Sequence, residues 1–385
     1  MVTGELGVYV HVPFCRHRCD YCAFATYADR DWLMEPYVAA CVADVERAVK
    51  DGELWEATSV FFGGGTPSRL PVAWLARILD AIPRAKDAEV TVECNPEDAS
   101  EGRLLDYRAA GVTRISFGVQ STATHVLASL GRRHDPASVP LAVEAASSAG
   151  FAEVNVDLIY GAASETDDDW ARTVDDVLTL SHPPSHLSAY ALTVEPGTPL
   201  ARDPARHPDD DVQASRYELA DARLSAAGYG WEEVSNWALP GHGCRHNRLY
   251  WRQGDYLGIG SAAHSHRRDD DGGRRWWNVR TPDRYVAAVE AGRAPVAGEE
   301  RVEGERYELE RLMLSLRTPA GVPASALPEE ERLDGLVVRR NGRAVLTVRG
   351  RLMANAVSAM LLAGRGGRGA ALTGAGAPGR YPAVQ

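Results

Sequence analysis

The chain has 385 residues, of which 45% are hydrophobic and 25% charged, and its formal net charge is −11. This composition is typical of a globular protein long enough for one large domain and one small one. The acidic balance argues against a nucleic-acid partner, because no excess of basic residues is available to neutralise phosphates. The N-terminus has no basic segment followed by a long apolar one, and no run of about 18 apolar residues occurs, so we expect a cytoplasmic protein.

Strand-like and helix-like segments alternate from the N-terminus to about residue 235, which is the pattern of a parallel sheet with crossover helices. Such units close into a full or partial barrel with the site at the carboxyl ends of the strands, although an open doubly wound sheet is an alternative. Strands are predicted at residues 8–12, 59–62, 89–93, 114–119, 153–158, 186–192 and 231–234. Helices are predicted at residues 32–50, 73–82, 100–110, 136–149, 170–180 and 211–227.

The pattern changes after residue 235, so residues 1–235 are interpreted as the barrel and residues 236–300 as a histidine- and aromatic-rich extension. Within that extension, the charged run 267–275 predicts a solvated loop. Residues 301–363 predict a small C-terminal domain, in which a helix containing Leu309, Leu312 and Leu316 precedes a hairpin at 335–348 and a helix at 352–362. The Gly/Ala-rich tail, 364–385, is predicted to be disordered.

Three cysteines lie within eight residues directly after the first predicted strand: Cys15, Cys19 and Cys22. Three thiolates can bind three corners of a 4Fe-4S cube and leave the fourth iron free for a ligand that is not protein. A structural zinc site normally has four protein ligands, and only His11 and His17 lie nearby as extra donors, so zinc is the less apt alternative. Six cysteines with three clustered fit a reducing compartment better than a disulfide framework.

The spacing C-x3-C-x2-C, with Tyr21 before the last cysteine, resembles the signature of the radical S-adenosylmethionine (SAM) superfamily. Further motifs follow in a fixed order, and together they resemble the HemW-type haem chaperones, a branch of the oxygen-independent coproporphyrinogen oxidase-like proteins. The motifs are Tyr9-Val-His-Val-Pro-Phe-Cys15, Gly63-Gly-Gly-Thr-Pro-Ser68, Glu93-Cys-Asn-Pro96, Ser116-Phe-Gly-Val-Gln120, Asn155-Val-Asp-Leu-Ile-Tyr-Gly161 and His246-Asn-Arg-Leu-Tyr-Trp251.

This resemblance implies an α/β fold: a partial (βα)6, TIM-like radical SAM barrel with a small C-terminal α+β, winged-helix-like domain. It also implies a 4Fe-4S cluster on the three cysteines, SAM on the open iron, and haem as a cargo delivered to an acceptor protein at a membrane or in respiration. The SAM-site residues implied are Tyr9, Tyr21, Gly64, Gly65, Thr66, Glu93, Gln120, Arg132 and Asp157.

SAM carries an ammonium, a sulfonium and a carboxylate, so its pocket needs acids, a cation and close approach of the main chain. Glu93 could accept the ammonium or a ribose hydroxyl, Arg132 could pair with the carboxylate, and the glycines could let the backbone approach SAM. Each position also has an ordinary structural interpretation: a turn, a salt bridge, a surface arginine or a core aromatic residue.

His246 is the candidate haem contact, because a neutral imidazole can ligate haem iron and the neighbouring Tyr250 and Trp251 offer flat apolar faces. The alternative for His246 is an ordinary structural histidine. His264 is the second choice for the haem contact. Cys244 could bind haem iron as a thiolate, and an inert buried thiol is its alternative.

Relatives that convert coproporphyrinogen carry a further cysteine two positions after the triplet, where this chain has Phe24. This favours a haem chaperone over an oxygen-independent coproporphyrinogen III dehydrogenase, which stays an alternative alongside a non-catalytic zinc protein. No catalytic residue is assigned, and SAM cleavage and the oligomeric state stay open.

Overall fold

Six parallel strands in sequential order form the framework of the computed structural model, which describes residues 4–363. The tail predicted to be disordered, 364–385, lies outside the described residues. Each strand has a mostly buried run of residues, and in the first five strands this run contains β-branched or aromatic side chains, as expected for a sheet covered on both faces. The strands are β1 (Leu6–Val12), β2 (Ala57–Gly64), β3 (Arg84–Cys94), β4 (Arg114–Gln120), β5 (Glu153–Tyr160) and β6 (His186–Ala191).

The strand order β1-β2-β3-β4-β5-β6 has no reversal, which distinguishes a barrel-type arrangement from a doubly wound sheet. The outer edge of β1 pairs with a later strand and that of β6 with another, so the six strands form an open arc. A short helix, α4, was not among the predicted elements. The helices of this part are α1 (Met34–Lys50), α2 (Val72–Ala81), α3 (Glu101–Ala109), α4 (Thr124–Ser129), α5 (Ser138–Ser148), α6 (Asp167–Leu178) and α7 (Asp210–Ala226).

Residues 230–303 extend both edges of this sheet. β8 pairs with β6 on one side, and β9 pairs in parallel with β1 on the other, followed by antiparallel β10, β11 and β12. The elements are β7 (Gly230–Glu233), β8 (Asn236–Ala238), α8 (Arg245–Trp251), β9 (Asp255–Ile259), β10 (His264–Arg268), β11 (Gly272–Asn278), α9 (Pro282–Glu290) and β12 (Val296–Glu303).

The prediction of a solvated loop at residues 267–275 was wrong, since most of this run belongs to the β10–β11 hairpin and only a short turn separates the strands. The charged side chains are anchored on the protein. Arg267 lies 4.0 Å above the Trp55 ring, and Arg268 pairs with Asp255 at 3.1 Å. The prediction failed because a high density of charged residues does not show whether their side chains pair with the rest of the protein.

The elements after β12 enclose a separate hydrophobic cluster around Leu312, Leu316 and Val357. The predicted hairpin is present, and Asn341 and Gly342 have φ values of 48° and 72°, the left-handed pair that a type I′ turn requires. The predicted last helix divides at Met353. Within residues 4–363, no helix has both the length and the apolar character that crossing a bilayer would require. The elements are α10 (Gly304–Leu316), β13 (Val322–Pro323), β14 (Val337–Arg340), β15 (Arg343–Leu346), α11 (Val348–Leu352) and α12 (Ala354–Ala363).

Candidate functional site

The predicted site residues meet at the carboxyl ends of the parallel strands. Cys15, Cys19 and Cys22 lie on the loop after β1, are half-buried, and form no disulfide. They line a pocket of about 90 Å³. The other predicted residues in the same pocket are Tyr21, Gly64, Gly65, Thr66, Glu93, Gln120, Arg132 and Asp157.

The thiols have polar neighbours. Thr66 Oγ1 donates to Cys15 Sγ at 3.6 Å, and Arg132 Nη1 lies 3.8 Å from Cys19 Sγ. Burial raises the pKa of Cys15 to about 11 and also raises the pKa of Cys22, because an uncompensated thiolate is poorly solvated there. In the part of the chain that the structure describes, no three or more His, Cys, Asp or Glu side chains are grouped so that they could hold a single metal ion, and this includes the three cysteines, whose role as cluster ligands stays a prediction from the motif.

The glycine turn after β2 packs directly against the cysteine loop. A Cβ on Gly64 (φ +110°) would lie 2.4 Å from the His11 ring, and one on Gly65 would lie 2.8 Å from the carbonyl oxygens of Phe14 and Val12. Glycine is therefore required here by contact between two protein segments, whereas the sequence interpretation attributed it to SAM. Contact with SAM stays a prediction for both residues.

Two carboxyl groups face this pocket from β3 and β5, the strands on either side of β4. Glu93 on β3 accepts from the Gly64 N–H at 3.1 Å, and its pKa is raised to about 8, mainly by burial and further by the nearby charge of Asp157. Asp157 on β5 accepts from Ser116 Oγ at 2.9 Å and from Asn155 Nδ2 at 2.7 Å, and burial raises its pKa as well. Two acids held in this way favour a ligand that brings positive charge.

Arg132 supplies the cation. Its Nη2 donates to Asn95 Oδ1 at 2.9 Å and to the Gly118 carbonyl at 2.7 Å, while its Nε is buried without a partner among residues 4–363. A buried orphan donor of this kind fits an anionic group of a ligand. Gln120 lies beside it at the end of β4, with φ 66° next to an irregularity in the β4–β5 register. Asn95 was missed as a site residue, although it belongs to the 93–96 motif.

Tyr9 lines a larger adjoining cavity of about 580 Å³ inside the arc. Its hydroxyl lies 3.1 Å from His11 Nδ1, and His11 Nε2 lies 3.1 Å from the Ala25 carbonyl. Because a carbonyl can only accept, Nε2 carries the proton and Tyr9 donates to Nδ1. Both nitrogens of His11 are thus engaged, and burial lowers its pKa to about 4. Tyr190, Glu195 and Arg280 also line this cavity and come from segments without a motif.

His246 also lines this cavity and is 1% exposed. Its Nδ1 is 2.9 Å from Ser59 Oγ and its Nε2 is 2.9 Å from Tyr250 Oη, while its ring stacks on Phe61. Burial lowers its pKa to about 4, so the ring is neutral at physiological pH. Ligation of haem iron would require His246 to give up one of these bonds, and that role stays a prediction.

The two weaker haem candidates differ in access. His264 lines the cavity and stacks on Trp277, with ring centroids 5.9 Å apart. Cys244 is buried, its Sγ lies 3.5 Å from Glu89 Oε1, and its pKa is raised well above the usual value, mainly by burial. These surroundings are those of an inert buried thiol.

Comparisons with known proteins agree with this geometry. The sequence pattern of the radical SAM superfamily matches residues 9–177. The heme chaperone HemW of Mycobacterium tuberculosis H37Rv is 44% identical over 386 residues, which cover 94% of this chain and 96% of that protein. The chain belongs to the HemW family. HemW of Escherichia coli is 39% identical over 67% of this chain and 69% of its own, and HemW of Bacillus subtilis is 31% identical over 86% and 88%.

A solved structure extends the agreement to the fold. The radical SAM enzyme coproporphyrinogen III oxidase (HemN) of Escherichia coli superposes with a TM-score of 0.78 at 22% identity, covering 93% of this chain and 90% of its own. The predicted fold class, a partial radical SAM barrel with further C-terminal elements, is therefore confirmed. Membership of the radical SAM superfamily implies a 4Fe-4S cluster and SAM, which a HemW-family chain would carry at the strand ends described above.

Proposed function

We propose that this chain is a radical SAM haem chaperone that holds a 4Fe-4S cluster on Cys15, Cys19 and Cys22, binds SAM beside it, binds haem, and transfers the haem to an acceptor protein. The observation that carries the proposal is that three free thiols, two half-buried acids and one arginine line one pocket at the end of the parallel strands. The names of the HemW relatives support haem as the cargo.

The donor set fits the cofactors. Glu93 and Asp157 would face the ammonium and the ribose hydroxyls of SAM, and the unpartnered Nε of Arg132 would face its carboxylate. Thr66 and Arg132 would donate to the sulfur atoms of Cys15 and Cys19 and so compensate their negative charge. When bound, the cluster and SAM supply one-electron chemistry; the protein supplies position and the exclusion of water.

Cluster binding is tested by anaerobic reconstitution with iron and sulfide. We expect about four irons and four sulfides per chain. The Cys19→Ala variant should lose this iron and sulfide. The Cys41→Ala variant should retain them, because Cys41 is a buried cysteine of α1 outside the loop. Zinc without sulfide would instead support the non-catalytic zinc alternative and overturn the cluster.

Cargo transfer is tested with haem and an apo-cytochrome of the same organism. We expect one haem per chain by Soret titration, and replacement of that Soret band by the band of the cytochrome when the acceptor is added. Membrane-bound and water-soluble acceptors are compared in parallel. Anaerobic formation of protoporphyrinogen from coproporphyrinogen would replace the chaperone with the dehydrogenase; Phe24, at the position where a further cysteine would lie, lines the pocket and argues against that outcome.

A further inference from the structure

A second cavity lies on the far side of α8 from the barrel cavity. It has a volume of about 370 Å³, within the range of about 300–1,000 Å³ typical of ligand sites. We call it the α8–α10 cleft, because Tyr250 and Trp251 of α8 and Tyr307 and Met313 of α10 form its walls. Tyr250 also lines the barrel cavity, so one side chain touches both spaces.

The cleft contains a buried polar atom without a partner. Gln253 is 6% exposed and lines the cleft; its Nε2 donates to the Tyr307 carbonyl at 3.5 Å, and its Oε1 has no partner in the described part of the chain. Rotating the amide would place two oxygens face to face, so the orientation is fixed. An unsatisfied buried acceptor is costly, and it indicates a ligand or water at this position.

The remaining lining matches a flat apolar molecule with acidic groups at one edge. Aromatic rings and Met313 provide the apolar walls, and Arg317, which donates to the neutral Met313 carbonyl and Asn355 Oδ1, provides positive charge. The acids of the cleft are already compensated: Glu310 pairs with Arg275 at 3.2 Å, and Glu233 accepts from Asn236.

The barrel cavity suits haem less well than it suits SAM. It shares Glu93, Gln120 and Asp157 with the pocket of the three cysteines, so SAM beside the cluster would occupy part of it, and both nitrogens of His246 are already hydrogen-bonded. We infer that haem, the cargo of the proposed function, binds in the α8–α10 cleft, with Trp251 and Tyr307 against the macrocycle and its propionates toward Arg317. His246 then acts on the cargo only through Tyr250.

The inference rests on the proposed function. Variants that fill either the cleft or the barrel cavity distinguish a failure of the inference from a failure of the proposed function. Met313→Trp fills the cleft from α10, and Val234→Trp narrows its rim from a side chain that is 37% exposed, where added bulk is compatible with folding. Ala191→Trp fills the barrel cavity instead. Met353→Trp, at a 47% exposed methionine outside both cavities, is the matched control.

Haem binding is measured by Soret titration and SAM binding by equilibrium dialysis on the cluster-loaded protein. We expect both cleft variants to weaken haem binding by about tenfold or more and to leave SAM binding unchanged. Ala191→Trp should weaken SAM binding and leave haem binding unchanged. Weaker haem binding by Ala191→Trp with unchanged binding by both cleft variants would overturn the inference but keep the proposed function. No haem binding by the wild-type protein would overturn both.

Discussion

Replacing Glu93 by glutamine should make the cofactor-free protein more stable at high pH. The Glu93 pKa is raised from 4.5 to about 8, so the folded protein retains a proton that the unfolded chain releases. The stability associated with this proton is fully present below pH 4.5 and is lost as the pH rises through 8. Glutamine keeps an acceptor for the Gly64 N–H and has no proton to lose.

The magnitude follows from the two pKa values. At about 1.4 kcal/mol per tenfold change in proton affinity, the difference between 4.5 and about 8 gives at most about 5 kcal/mol at pH 8.5. Glu93 lines a cavity that water can enter, so we expect roughly 2 kcal/mol, or about 2–4 °C in melting temperature.

The assay is thermal unfolding of the cofactor-free protein at pH 5 and pH 8.5, with Glu35→Gln at an exposed position of α1 as the control. The gain of Glu93→Gln over wild type should be small at pH 5 and grow at pH 8.5. A gain of equal size at both pH values would refute the assignment of Glu93 as an acid with a raised pKa.

Three further outcomes follow from the contacts of the site. Arg132→Leu should weaken SAM binding by about tenfold or more in equilibrium dialysis, because the carboxylate of SAM loses its cation. Arg132→Lys should bind SAM more tightly than Arg132→Leu, because lysine keeps a positive charge. Equal SAM affinity of the two variants would contradict the role of this charge. Gly65→Ala should lower the melting temperature and the iron content after reconstitution, since its Cβ meets two carbonyl oxygens, whereas Gly102→Ala, with open space around it, should change neither. His246→Phe should lower the free energy of unfolding by about 1–3 kcal/mol, because Ser59 and Tyr250 lose their hydrogen-bond partner. The Soret maximum of bound haem should not move. A shifted Soret maximum with unchanged stability would instead make His246 an iron ligand.

The barrel strands were predictable because each one is a short buried run between helical segments. β4 and β5, for example, begin at the predicted residues Arg114 and Glu153. The same reasoning placed the cysteines, Glu93 and Asp157 at one end of the arc, since the carboxyl ends of parallel strands share an edge. The barrel fold and the position of the candidate site could therefore be predicted from local sequence patterns.

Contacts between distant segments were not predictable. The engagement of both His246 nitrogens depends on Ser59, 187 residues away, and no sequence pattern joins them. Likewise, residues 267–275 were predicted to be a charged loop, because the sequence does not show that a side chain such as Arg275 pairs with Glu300 of β12. The α8–α10 cleft is formed by two helices whose contact the sequence does not indicate.

The account depends most directly on one iron of the cluster being open to SAM, and electron paramagnetic resonance of the reduced, reconstituted protein tests this. We predict that SAM changes the g-values or line shape of the cluster signal, and that Arg132→Leu requires more SAM for the same change. A full complement of iron and sulfide whose signal is identical with and without saturating SAM would contradict the central claim.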